Sequence, residues 1–340
     1  MCSVMPSCVR LLLSLFLSSA ALVSAQSCPP RPVIVDVRDA HGLPIPNLTS
    51  ANFIASDKGQ PLSVSSASFH TDPGVRTVVL LSEIAPAKIA KSAALEFIST
   101  APPQAPISMF TFFTSIENRF NSSDGRTPMK DWLNANQSSI PPRKGSSDLT
   151  QSLLTIIKAM EPAHVGDAIY VITSNFDPLF TAAGSKEALA MTPDLASELQ
   201  SNGVRLFALV LEVVPRAGWH AILPDDDMIT TPHTPTGSAE LADLVRRSGG
   251  LLLNWYPSEK SRSFGTSLDY NSATQAAIRE SSRGFQEAIN NFYLLTVVPS
   301  EHSTVPEDWN LEVVNSQGKK LKGVMLAYPG KIGGCNTAVP

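Results

Sequence analysis

Three short stretches are apolar almost from end to end: Thr77-Val-Val-Leu-Leu-Ser82, Ala168-Ile-Tyr-Val-Ile-Thr173 and Val204 to Leu211. A strand with one wet face alternates apolar and polar residues. These do not alternate, so both of their faces must be covered. Between them lie stretches with helical spacing. Pro86 to Thr100 places Ile89, Ala93 and Phe97 on one face, with proline in the first turn. Asp148 to Met160 is apolar at Leu149, Leu153, Leu154, Ile156 and Ile157. Ser185 to Asn202 ends at Gly203, and Ala239 to Ser248, capped by Ser238, ends at Gly249-Gly250. Ile107 to Phe113 and Leu251 to Trp255 read as further strands, Glu117 to Phe120 as a strand pairing back across Thr114-Ser115, and Pro128 to Asn136 as a short helix. Strands alternating with helices in this way predict an α/β unit over 73–257, a doubly wound and mostly parallel sheet covered on both faces.

The flanks have another character. In 26–72, Val33 to Arg38 reads as a strand with Val33, Val35 and Val37 on one face, followed by short strands at Phe53–Ser56 and Leu62–Phe69. A Ser-rich loop over 258–271 leads to 272–340. There a helix (Ser272–Asn291) and a strand (Phe292–Val298) precede a hairpin of Asn310–Val314 with Leu321–Tyr328 around Asn315–Gly318. The two β segments are expected to pack together as one small β unit.

Residues 1–25 have the order of a secretory signal peptide: Arg10, an apolar run from Leu11 to Val23, and small residues before a cleavage point near Ala25. The run is shorter than the roughly 20 residues that span a bilayer. A buried N-terminal helix and a lipoprotein acylated at Cys28 are the alternatives. The expected destination is secreted or periplasmic, and no other stretch looks transmembrane. A net charge of −4 without basic blocks argues against nucleic-acid partners. Cleavage removes Cys2 and Cys8 and leaves Cys28 and Cys335, one near each end. In an exported chain this pair predicts a disulfide, with two free thiols as the alternative. The entropic gain for so long a loop has a ceiling of roughly 5 kcal/mol.

Three motifs, in order, resemble the secreted von Willebrand factor A-related family common in Acidobacteria. They are Val37-Arg-Asp-Ala-His-Gly-Leu-Pro-Ile-Pro-Asn-Leu-Thr49 with Asn52-Phe53 and Asp57-Lys-Gly59; Asn202 to Phe207 with Leu241 to Gly250; and Phe292 to Ser300 with Trp309 and Ala327-Tyr328. The resemblance implies an A-like domain whose metal site would read Asp-x-Ser-x-Ser in a first loop, with a Thr from a second loop and an Asp from a third. Here the first loop is Ser82-Glu83-Ile84-Ala85-Pro86. If Ser82 holds the Asp position, Ile84 and Pro86 replace the serines; if Glu83 does, Ala85 and Ala87 replace them. Ser147 would stand for the Thr, Ser174 for the third-loop Asp, and Asp177 is the nearest remaining acid. Mg²⁺ needs oxygen ligands that include a carboxylate or two, so the site is expected to be degenerate, with no metal and no cofactor.

Asp225-Asp226-Asp227, in a Pro-rich connection between His220 and His233, match no metal spacing and mark a candidate binding loop. Gly-x-Ser-x-Gly and His-Glu-x-x-His are absent, and Ser316-x-x-Lys319 falls in the predicted hairpin turn. Glu83 to Lys88 contains no glycine with which to cradle a phosphate. Trp219, Trp255, Tyr256 and Trp309 are either packing residues or part of a contact surface. The expected function is non-catalytic: a metal-independent module binding an unknown protein or a cell-envelope component. The rivals are a structural or assembly subunit of the envelope, and a secreted hydrolase with a loop-built site around Ser174 and His164 or His220.

Overall fold

The computed structural model describes residues 28–83, 85, 87–113, 115–135, 149–174, 194–211, 238–255, 272–299, 307–333 and 335. Six strands form the central sheet in the order β6-β5-β4-β7-β8-β9: β4 (Thr77–Ser82), β5 (Ile107–Phe112), β6 (Ile116–Phe120), β7 (Ala168–Ser174), β8 (Arg205–Leu211) and β9 (Leu252–Trp255). All neighbours are parallel except the edge pair β5–β6. Chain order grows outward in both directions from β4 and β7, so the sheet is doubly wound with its switch point between those two strands.

The apolar runs are buried on both faces because residues of opposite parity feed two cores. Val79, Leu81, Tyr170, Ile172, Phe207 and Leu209 enter one core; Val78, Leu80, Ile169, Val171, Leu206 and Ala208 enter the other. The first is covered by α1 (Ala87–Thr100), α2 (Arg126–Ala135) and α6 (Ser272–Asn290), through residues such as Phe97, Met129 and Phe285. The second is covered by α3 (Leu149–Ala159), α4 (194–201) and α5 (Ser238–Ser248), through Leu153, Leu199 and Leu244.

The flanking segments join in one antiparallel sheet ordered β12-β2-β3-β10-β1-β13, where β1 is Arg31–Arg38, β2 Phe53–Asp57, β3 Gln60–Thr71, β10 Asn291–Val298, β12 Asn310–Val313 and β13 Met325–Ala327. Two-residue strands β11 (Glu307–Asp308) and β14 (Lys331–Ile332) pair beside it. Val33, Val35 and Val37 face a third core with Phe53, Tyr293, Leu295, Trp309 and Leu311, while Ile34 and Phe292 turn the other way into the first core of the α/β unit. Cys28 and Cys335 are joined in a disulfide.

One expectation needs correction. The Asn310–Tyr328 hairpin closes only at its base, through Val314 and Lys320. Beyond that, β12 pairs with β2 and β13 with β1. The turn itself forms, with Asn315 Oδ1 accepting from the amides of Gln317 and Lys319. Turn chemistry thus sets the reversal, and burial of Leu311 and Val313 against Phe53 and Ala55 sets the partners. Helix α6 packs against α1 and the central sheet. Gln286 Nε2 donates to the Phe97 carbonyl (3.1 Å), and the Phe285 ring packs on Tyr170 (4.7 Å), so the helix covers the central sheet.

One residue couples the two units. Arg205, at the start of β8, is fully buried. Its guanidinium donates to the carbonyls of Ala288 (3.0 Å), Ile289 (2.6 Å) and Gly166 (3.0 Å), capping the C-terminal end of α6. It also lies 4.4 Å from the ring centre of Phe292, at the start of β10. Burial pushes its pKa down to about 10, against the opposing pull of Asp36 and Asp167.

Candidate functional site

Open α/β sheets bind ligands outside the C-terminal ends of their strands, at the switch point. Here those ends are Ser82 of β4 and Thr173-Ser174 of β7. The pairing of Leu81 with Ile172 brings these ends side by side. Ser82, Thr173 and Ser174 are all buried, and none of their hydroxyls finds a hydrogen-bond partner among the described residues. A buried polar group without a partner costs about 1–3 kcal/mol, so three together are a feature to explain. By the alternation of the strands, Ser82 and Thr173 lie side by side on one face of the sheet and Ser174 on the other, so the expected positions Ser82 and Ser174 fall on opposite faces.

Glu83 has another role. Its amide donates to the Phe112 carbonyl (3.0 Å), tying the loop to the end of β5. Its carboxylate accepts from Arg119 (3.2 Å). Arg119 projects from the edge strand β6, donates to Thr111 Oγ1 (2.9 Å) and also meets Glu117 (2.5 Å). Lys91, on the second turn of α1, is buried nearby. Burial lowers its pKa, Glu83 opposes that shift and Arg119 adds to it. Both cations lie over Trp132 of α2, Lys91 at 5.2 Å and Arg119 at 5.7 Å from the ring centre. The acid of the first loop is therefore paired with Arg119, which Glu117 shares, and Lys91 lies near enough to feel its charge.

This donor set is a poor fit to Mg²⁺. Ser82, Thr173 and Ser174 offer only neutral hydroxyls, split between the two faces of the sheet, and the neighbouring carboxylate is engaged by Arg119 with a second cation beside it. A divalent ion prefers charged oxygens and is repelled by such neighbours. Among the described residues no group of three or more His, Cys, Asp or Glu is arranged to hold a metal.

The remaining candidates separate. Ser147, Asp177, the Asp225-Asp226-Asp227 loop, His220, Trp219 and Tyr256 lie outside the described residues, as does the N-terminal segment 1–25. His164 lies before β7, at the opposite end of the sheet from Ser174, and its amide donates to Asp167 Oδ2 (2.9 Å). A seven-residue strand separates the two by about 20 Å, too far for His164 to act as the base for Ser174. Trp309 is buried packing: its Nε1 donates to the Pro329 carbonyl (2.7 Å) and its ring meets Tyr328 edge-on. Trp255 packs against the first core. Sequence reasoning missed Lys91, Arg119 and Trp132. Alternation along Glu117-Asn118-Arg119 places two charges on one face of a strand, but nothing local says which carboxylate Arg119 would meet.

No family model matches the chain, and no curated protein matches it. Solved structures similar to it include an aerotolerance-related membrane protein from Bacteroides fragilis, 18% identical over 62% of this chain and 99% of that one, with a TM-score of 0.38. A von Willebrand factor type A protein from Catenulispora acidiphila is 9% identical over 90% and 74% (TM-score 0.39). The manganese-loaded TRAP protein of Plasmodium vivax is 12% identical over 77% and 95% (TM-score 0.36). The likeness is one of arrangement, at low identity. The class that the strand order itself defines is an α/β protein with a doubly wound, mostly parallel sheet, joined to an antiparallel β unit.

Proposed function

We propose that the chain is a secreted, non-catalytic module that binds a protein or a cell-envelope component at the C-terminal end of its parallel sheet, without a divalent metal. The observation that carries this reading is the state of Glu83. Its carboxylate is held by Arg119 and flanked by Lys91, while Ser82, Thr173 and Ser174 offer only neutral oxygens. The hydroxyls of Ser82 and Thr173, side by side and without a partner among the described residues, suit hydrogen bonding to a partner's amide or carboxylate groups. The signal-like N-terminus and the Cys28–Cys335 disulfide suit an oxidising compartment. No helix among the described residues is long and apolar enough to cross a membrane.

The test is a thermal melt in Mg²⁺, in Mn²⁺ and in chelator. A ligand that binds only the folded state raises the melting temperature, so the three curves are expected to coincide. A reproducible rise with either metal refutes the metal-free reading.

A further inference from the structure

The acid of the first loop is drawn away from the switch point. In the order β6-β5-β4-β7, Arg119 of β6 and Ser174 of β7 lie on opposite sides of β4. The Glu83 carboxylate accepts from Arg119, so it leans toward β5 and β6 rather than toward the end of β7.

Arg119 has three oxygens around it, contributed by three neighbouring segments of the sheet. Its Nη2 lies 3.2 Å from Glu83 Oε1, one residue past β4, and 2.5 Å from Glu117 Oε2 on β6. Its Nε donates to Thr111 Oγ1 on β5 (2.9 Å). Two carboxylates and a hydroxyl converging on one positive charge resemble what a hard divalent ion asks of a protein, since Mg²⁺ takes one or two carboxylates and fills the rest of its shell with water. Here the charge comes from the chain. The guanidinium is held in place by Trp132, whose ring centre is 5.7 Å away and which packs edge-on against Phe120, the next residue of β6. Of the two acids, Glu83 is the buried one, with a side chain 9% exposed against 48% for Glu117, so its pairing is the less screened by solvent.

We propose that Arg119 is a tethered cation standing where a divalent ion would otherwise join Glu83 to Glu117, and that it keeps this end of the sheet free of metal. This role rests on the metal-free reading and deepens it by naming the residue that excludes the ion. A cation built into the neighbouring strand acts at an effective concentration set by its tether, without a bimolecular binding step. Its planar fork of donors also matches carboxylate geometry. A free ion has to displace it and is repelled by Lys91, which lies close enough to Glu83 to interact with its charge.

The test removes the tethered charge from the full chain. In Arg119→Met, the oxygens of Glu83, Glu117 and Thr111 remain without a resident cation. The variant is expected to melt about 3 °C higher in ~10 mM Mn²⁺ than in chelator, as for a site of ~1 mM affinity. The parent is expected to give the same curve in both. Arg119→Gln, which keeps a neutral donor, is the second variant and is expected to show the same rise. Adding Glu83→Gln to either variant is expected to abolish it. A parent that itself rises with Mn²⁺ overturns both the metal-free reading and the role of Arg119. A flat parent with flat variants leaves the metal-free reading standing and overturns the role of Arg119, as does a rise that survives Glu83→Gln. If neither variant folds, Arg119 is a structural pillar rather than an exchangeable cation, and the proposal falls.

Discussion

Replacing Arg205 by methionine keeps most of the side-chain volume and removes the charge that joins the two units. Three carbonyls, those of Ala288, Ile289 and Gly166, then lose their donors in a fully buried setting. Hydrogen bonds from a charged donor are each worth about 1.5–3 kcal/mol, and the contact with Phe292 adds about 2 kcal/mol when desolvated. Against this stands the release of a buried guanidinium from its desolvation penalty, several kcal/mol on the usual scale. The acceptors are backbone groups that no mutation removes, so the exchange does not become a clean swap of an ion pair for an apolar pair. The net loss is expected to be about 3–5 kcal/mol, as for removing one partner from a buried charged arrangement. Urea unfolding followed by far-UV circular dichroism reads it as a lower midpoint at unchanged slope. Arg205→Lys is expected to recover only part, since an ammonium lacks the planar fork that reaches both ends of the cap. A loss below about 1 kcal/mol for the methionine variant, within the range of an ordinary surface change, refutes Arg205 as the coupling residue.

Two adjacent glycines at the end of α5 test separate physical causes. A Cβ at position 250 would stand 1.9 Å from the Leu206 carbonyl oxygen, which belongs to the β8 backbone and cannot swing away. Gly250→Ala is expected to cost about 3 kcal/mol or more, or to prevent folding. Gly249 has a φ of +79° and more room, so Gly249→Ala is expected to cost only the left-handed penalty of about 1–2 kcal/mol; equal losses on urea unfolding would contradict the steric argument. Asp36 gives a pH signature. Burial raises its pKa, against the opposing pulls of Arg38, through charge and hydrogen bond, and of Arg205. The native state then holds a proton that the unfolded chain releases. The stabilisation is full below the unfolded pKa and is lost as pH rises through the folded one. The stability gap between the parent and Asp36→Asn should therefore widen as pH falls from neutral toward 4, and a constant gap would show that Asp36 does not titrate differently in the two states.

Much of the fold was legible because burial leaves its mark on composition. Thr77–Ser82, Ala168–Thr173 and Val204–Leu211 lack alternation, and each became a strand facing two cores. Val33, Val35 and Val37 alternate, and they point into the β-unit core while Ile34 points away. What the residues alone left open was pairing over distance. A turn at Asn315–Gly318 is local chemistry, but β12 and β13 each found a partner far away in sequence because the core rewards burial of Leu311 and Val313, whichever strand provides it. The fate of Glu83 was decided in the same way. Its charge environment needs β6 to fold back beside β5, α2 to bring Trp132 alongside and α1 to present Lys91, and no spacing in the sequence encodes that meeting. The sequence by itself determined which segments must be buried. Only the tertiary structure decided which charges face each other and which strands pair, because Coulomb attraction and backbone pairing act through distances that chain order does not specify.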